Sequence, residues 1–242
     1  MTSISKIAVA CAALATASGA FAQKAGDNIV GLGFAYISPD ASLGPLTSTN
    51  LSLGADVGGA TAKLSSETTI SLGWLHMYSD NIGAEVTIGI PPKHTMDVNA
   101  PLLGALGNLP NAATAKVLTP TAVAKYFFNT PADTWRPYLG LGVTHASFSS
   151  VSPNTSNIVV NALAGNGASM SSSWAPVYNA GVIYNIDSKW SINGSVSYIP
   201  LTSKVSFAGA NQAGVGAFAG ATTTGDLKLN VTDYVIRLGY KF

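Results

Sequence analysis

The sequence predicts an all-β protein, an eight-stranded antiparallel transmembrane barrel with short periplasmic turns and four long extracellular loops. Three observations carry this. Many segments alternate an apolar residue with a small or polar one, short and long connections follow each other in strict rotation, and the chain ends on an aromatic, Phe242.

Composition narrows the class first. Of the 242 residues only 10% are charged while 47% are hydrophobic and 25 are Gly, too apolar for a disordered chain. A formal charge of +1 gives no electrostatic footprint for nucleic acid. No stretch after the N-terminus approaches the roughly 18 to 20 apolar residues that a membrane-spanning helix needs, so any crossing must be made by strands.

Residues 1–22 have the form of a secretory signal peptide. One cation, Lys6, precedes the apolar run Ile7 to Ala17, and Ala20-Phe21-Ala22 is a small-residue cleavage pattern that predicts processing before Gln23. Cys11 lies inside this segment, so the mature chain, residues 23–242, has neither a disulfide nor a thiolate metal site. The expected destination is the bacterial outer membrane.

Eight segments then follow in order: about 28 to 38, 67 to 78, 82 to 90, 118 to 128, 136 to 148, 174 to 186, 190 to 200 and 227 to 242. In the second, Ile70, Leu72 and Trp74 alternate with Ser71 and Gly73; in the third, Val86 and Ile88 alternate with Glu85 and Thr87. In the fifth, Leu139, Leu141 and Val143 alternate with Gly140 and Gly142; in the seventh, Trp190, Ile192, Val196 and Tyr198 alternate with Ser191, Asn193, Ser195 and Ser197. A strand points successive side chains to opposite faces, so each segment has one face suited to lipid and one suited to an interior.

Three connections are tight: Ser79-Asp80-Asn81, Asn129 to Thr134, and Asp187-Ser188-Lys189. The other four span roughly 20 to 30 residues each, rich in Ala, Gly, Ser and Thr. An outer-membrane barrel has this rhythm, with turns on one rim and loops on the other. Because hydrocarbon leaves no unpaired backbone satisfied, the sheet must close. In the last strand Tyr234, Ile236, Leu238, Tyr240 and Phe242 share the lipid-facing parity, whereas Asp233, Arg237 and Lys241 share the other; Tyr240 and Phe242 are the candidate assembly signal. Aromatics near strand ends suit the two membrane interfaces, although aromatics also fill strands in any β protein.

An eight-stranded barrel has an interior just wide enough to be filled by side chains or to hold one small ligand, which excludes a wide aqueous pore. The inward parity carries many small residues, among them Gly31, Gly73, Thr87, Gly89, Gly140 and Gly181, and these predict a narrow cavity; alternatively they merely let a small barrel close. Leu75, Met77, Val123, Phe127 and Ile183 share the inward parity and are candidates for a constriction. The inward charges Glu85, Lys125 and Arg237 are expected to neutralise one another, since a lone charge there is costly. Prolines at 39, 91, 92, 120, 176 and 200 sit near outer strand ends, where each removes a ladder donor and either favours a break in the wall or simply ends a strand.

Taken together in order, Ser38-Pro39-Asp40, Asp80-Asn81-Ile82-Gly83 with Glu85, Pro91 with His94, Leu118-Thr119-Pro120-Thr121, Arg136-Pro137-Tyr138-Leu139-Gly140, Trp174, Trp190 with Asn193 and Tyr198, and Gly239-Tyr240-Lys241-Phe242 resemble the OmpW family of outer-membrane proteins over almost the whole mature chain. The resemblance implies passive entry of small hydrophobic molecules through a narrow, largely apolar lumen, with an AlkL branch linked to alkanes. It also implies a constriction of bulky apolar side chains on the third and seventh strands. The matching positions here are Thr87 and Ser197, which are neither bulky nor apolar.

Two readings of function remain. One is a conduit that accepts hydrophobic molecules and releases them sideways into the outer leaflet. The other is a structural or surface-interaction barrel with a sealed lumen, contacting lipopolysaccharide, host surfaces or phage. Expected partners are outer-membrane lipid and lipopolysaccharide, the barrel-assembly machinery through the C-terminal strand, and small hydrophobic solutes. No enzyme, cofactor or metal site is expected: His76, His94 and His145 fall on separate segments without ligand spacing, and no nucleophile–base pair is visible.

Overall fold

The computed structural model describes residues 23–49, 60–211 and 220–242. The expected signal peptide, residues 1–22, lies outside the described residues, as do parts of the first and fourth long loops.

Among the described residues, thirteen strands form one antiparallel system: β1 (Asn28–Leu43), β2 (Thr47–Ser48), β3 (Thr61–Leu64), β4 (Glu67–Met77), β5 (Ile82–Gly89), β6 (Lys93–Asn99), β7 (Asn108–Leu118), β8 (Thr121–Phe127), β9 (Trp135–Pro153), β10 (Gly167–Met170), β11 (Ser173–Asn185), β12 (Trp190–Ala208) and β13 (Thr222–Lys241). Eight of them close a ring in the order β1-β4-β5-β8-β9-β11-β12-β13, and β13 returns to β1 through Ile29↔Lys241 to Leu43↔Leu227. Closure satisfies every edge that would otherwise face hydrocarbon.

These eight correspond one to one with the expected segments, but β1, β9, β12 and β13 run further outward. The remaining strands lie in the long connections: β3, β6 and β7 form a sheet with the outer part of β9, β10 pairs with β12, and β2 with β13. A short helix, α1 (Ile158–Ala164), is capped by the Asn157 side chain, which accepts from the amides of Val159 and Val160.

The alternation decides which face each residue takes. Leu32, Phe34, Ile70, Leu72, Val86, Ile88, Leu139, Leu141, Ile236 and Leu238 are all exposed on the outside of the ring and form a continuous apolar band. Two aromatic belts flank it. Trp74, Tyr78, Tyr126, Phe128, Trp135, Trp190, Tyr240 and Phe242 lie toward the tight turns, with Trp190 packed on Tyr240 at 4.9 Å. Tyr36, Tyr234, Tyr178, Tyr198 and Trp174 lie toward the loops, in cross-strand pairs such as Tyr36–Tyr234 at 6.3 Å. The belts mark the two interfaces of a membrane-spanning barrel.

The periplasmic turns are held by their own side chains. In the turn after β11, the Asp187 carboxylate accepts from the amides of Lys189 and Trp190, each at 2.7 Å, and those two donors hold its carboxyl below the ordinary aspartate range. The turn before β9 repeats the device: the Thr130 hydroxyl and amide both donate to Asp133 and lower it in the same way.

Candidate functional site

The interior is a stack of three layers, and the sequence explains each. Nearest the periplasm, Ile29, Leu75, Met77, Phe127, Tyr138 and Ile183 form one buried apolar cluster. Met77 and Phe127 have no exposed surface, so this layer is a plug rather than a lining. Below it Arg136, also fully buried, donates to the Gln23 carbonyl at 2.5 Å and to the Asp80 carbonyl, while the Gln23 amide donates to the Asn185 side chain at 2.6 Å. The segment just after the expected cleavage point thereby closes the periplasmic mouth.

The middle layer is charged. Glu85 on β5 accepts from Lys125 of β8 at 2.8 Å and from Arg237 of β13 at 2.9 Å. The same guanidinium reaches the Ser71 hydroxyl at 2.7 Å and Thr87 at 3.2 Å, and the Lys125 ammonium lies 4.3 Å from the centre of the Tyr138 ring. One anion against two cations, each with neutral acceptors or an aromatic face, is a network that avoids isolated buried charge.

The small inward residues fit around these groups. A Cβ at Gly73 would lie 2.8 Å from Arg237 Nη1, and one at Gly181 would lie 2.4 Å from the Tyr138 hydroxyl. Arg237 and Tyr138 take the space directly beside these two glycines, while Gly31, Gly73 and Gly239 also border a second, smaller cavity with Ile29, Leu75, Ile183, Glu85 and Arg237.

The larger cavity lies higher. Between the charged layer and the loops, an apolar pocket, partly open to solvent, is lined by Ile37, Pro39, Leu64, Pro92, His94, Val117, Thr119, Thr144, Ala146, Phe148, Ile199, Leu201, Leu229, Val231 and Asp233. In the wall beside it β1 and β3 lie next to each other without a shared ladder. The β1–β4 ladder ends at Ile37↔Glu67, and beyond that point β1 keeps its ladder with β13, whereas among the described residues no ladder joins it to β3. Pro39 and Leu64 stand on either side of this seam, and Pro39 has no amide to offer a partner.

The candidates read from the sequence do not form a single gate. Leu75, Met77, Phe127 and Ile183 meet in the plug, whereas Val123 belongs to a second apolar cluster further out with Ala146, Val177, Ile199 and Leu201. Thr87 hydrogen-bonds within the charged layer, Ser197 accepts from the Asn179 amide at 2.9 Å, and Gly89 ends β5 half-buried against β4. Sequence reasoning missed Asp233 and Ile37 as pocket-lining residues because the segments holding them were assigned only a face, not a depth. His94 was noted without a role; it is buried, its Nδ1 hydrogen-bonds the Ser65 carbonyl at 2.8 Å, and it faces the pocket. Tyr240 and Phe242 face outward in the lower belt, and the Phe242 amide donates to the Asn28 carbonyl at 3.1 Å.

A sequence profile of the OmpW family matches residues 24–242. The chain belongs to the OmpW family. Outer membrane protein W of Vibrio cholerae is 30% identical over 233 residues, covering 96% of each chain, and that of Salmonella typhimurium is 28% identical over 242 residues. Among solved structures, this OmpW-family barrel is similar to the outer membrane protein OprG from Pseudomonas aeruginosa (TM-score 0.76, 27% identity, 91% of this chain and 98% of that one). It also shares its fold with the outer membrane protein AlkL, at a TM-score of 0.61 and 18% identity over 90% of this chain and 91% of that one. The eight-stranded barrel and its outer-membrane location follow from the family.

Proposed function

We propose that this OmpW-family barrel passes small hydrophobic molecules from the exterior into its outer pocket and then sideways, through the seam between β1 and β3, into the outer leaflet. The observation that carries this reading is the contrast within one lumen. The outer pocket is lined almost wholly by apolar side chains, whereas the path beneath it crosses a buried ion network, a buried apolar cluster and the Arg136–Gln23 closure. A hydrophobic molecule gains by entering the pocket and loses by displacing the charges below it, where parting a buried pair costs about 3–5 kcal/mol. Exit through the wall is the cheaper route.

Lipopolysaccharide and lipid are the surroundings of that seam. The barrel-assembly machinery is the partner proposed for Tyr240 and Phe242, which complete the alternating, lipid-facing C-terminal strand. No catalytic role is assigned to any residue.

Uptake of a labelled decane into cells lacking the protein, carrying it, or carrying Val231→Trp tests the proposal. Val231 faces the pocket from β13 and is only half-buried, so an indole there fills pocket space. The proposal expects faster entry with the wild-type protein only. Equal entry in all three strains would favour a sealed surface barrel.

A further inference from the structure

The polar groups that line the outer pocket are nearly all engaged. Thr144 donates to the Pro120 carbonyl at 3.1 Å and accepts from the Thr121 hydroxyl at 2.9 Å, and His94 is hydrogen-bonded through Nδ1 to Ser65. Asp233 is different. Its Oδ1 has no accessible surface and no hydrogen-bond partner among the described residues, yet the residue lines the pocket beside Ile37 and Val231. The three acid–base groups of the charged layer use one another, and none of their ion pairs extends to Asp233. A buried acceptor left unmade is costly, and native structures keep one where something else satisfies it.

We propose that Asp233 is a specificity-determining residue: its carboxyl, turning about χ2 to bring the unpartnered oxygen to the pocket, accepts a hydrogen bond from an apolar molecule that ends in a donor, so the pocket prefers an alkanol-like solute to the plain hydrocarbon of the same length. This rests on the uptake reading and names the substrate class for it. The carboxyl oxygen offers a lone pair whichever protonation state the group holds, and the surrounding Ile37, Leu64, Ile199 and Leu229 offer no competing side-chain hydrogen bond. The molecule's chain takes the apolar walls and its hydroxyl takes the turned carboxyl. Discrimination follows because a site built around a polar group rejects the analogue that leaves that group unpaired.

The test is binding of 1-octanol and of octane to the full mature barrel in lipid nanodiscs, read by NMR shifts of pocket residues, with affinities expressed against the mole fraction of probe in the bilayer. Wild type is expected to bind octanol about tenfold more tightly than octane, in line with one desolvated hydrogen bond. Asp233→Val is expected to erase that preference while still binding octane, and Asp233→Asn, which keeps a carbonyl oxygen, to retain part of it. Equal affinity for the two probes in wild type, or a preference that survives in Asp233→Val, would overturn the role of Asp233 while leaving the uptake reading standing. Binding of neither probe by wild type would overturn both. Retained heat-modifiable gel mobility certifies that each variant is folded.

Discussion

The Arg237 guanidinium meets the Glu85 carboxylate at 2.9 Å although the two residues are 152 positions apart and stand on strands separated by β1 and β4 in the ring. The contact is a chord across the lumen, and with Lys125 it forms the charged layer beneath the outer pocket. Replacing Glu85 by Gln leaves two buried cations without their anion, and an unfolding free energy lowered by about 3–5 kcal/mol is expected. Urea titration of the barrel in lipid vesicles measures it. The triple variant Glu85→Leu, Lys125→Met, Arg237→Met removes the network whole and is expected to lose far less than Glu85→Gln, because no charge is then left unpaired.

Asp233 tells the opposite story in the same assay. It buries an acceptor that has no partner among the described residues, so Asp233→Val is expected to raise stability by about 1–3 kcal/mol. A loss of stability on that substitution would mean that the carboxyl is satisfied within the protein.

Close packing in the lower barrel gives a third expectation. A side chain at Gly181 would run into the Tyr138 hydroxyl at 2.4 Å and the Gly194 carbonyl at 2.6 Å, so Gly181→Val is expected to cost about 1–3 kcal/mol or to block closure, seen as loss of heat-modifiable mobility. Gly194, whose added Cβ would meet nothing and whose φ is not positive, is the control for size, and Gly194→Val is expected to cost little.

The periplasmic turn after β11 predicts a pH dependence. Asp187 is held below its ordinary pKa by two backbone donors, so its contribution is present above the unfolded value near about 4 and is lost as pH falls through the lower folded value. Asp187→Ala is expected to weaken the barrel at neutral pH and to be indistinguishable from wild type below about pH 2, where both lack the carboxylate.

How much of this was legible in the sequence depends on the depth of the question. Alternation placed Leu72, Val86 and Leu238 on the lipid face and Glu85, Lys125 and Arg237 on the other, because a one-residue slip would invert every side chain at once. The same logic located the tight turns, since Asp80-Asn81 and Asp187 carry the chemistry that turns require. What alternation does not give is height along the barrel. Leu75, Phe127 and Val123 share a parity, yet the first two close the periplasmic end and the third belongs to the outer cluster. Height depends on the stagger between strands, set by pairings such as Tyr138↔Phe127 and Arg237↔Gly33 that no single segment records. The loop strands β3, β6 and β7 were unreadable for a related reason: their pairing is with one another and with β9, not with the membrane.

The central claim is that the floor is sealed and the wall is the exit. Its most direct test uses vesicles whose outer leaflet contains lipopolysaccharide, supplying a pyrene-labelled alkane outside while a water-soluble dye is entrapped inside. The account predicts severalfold faster arrival of the alkane in the bilayer with the wild-type barrel than without it, abolition of that gain by Val231→Trp, and no release of the entrapped dye. Dye release through the wild-type barrel, or alkane arrival indifferent to the protein, would contradict it.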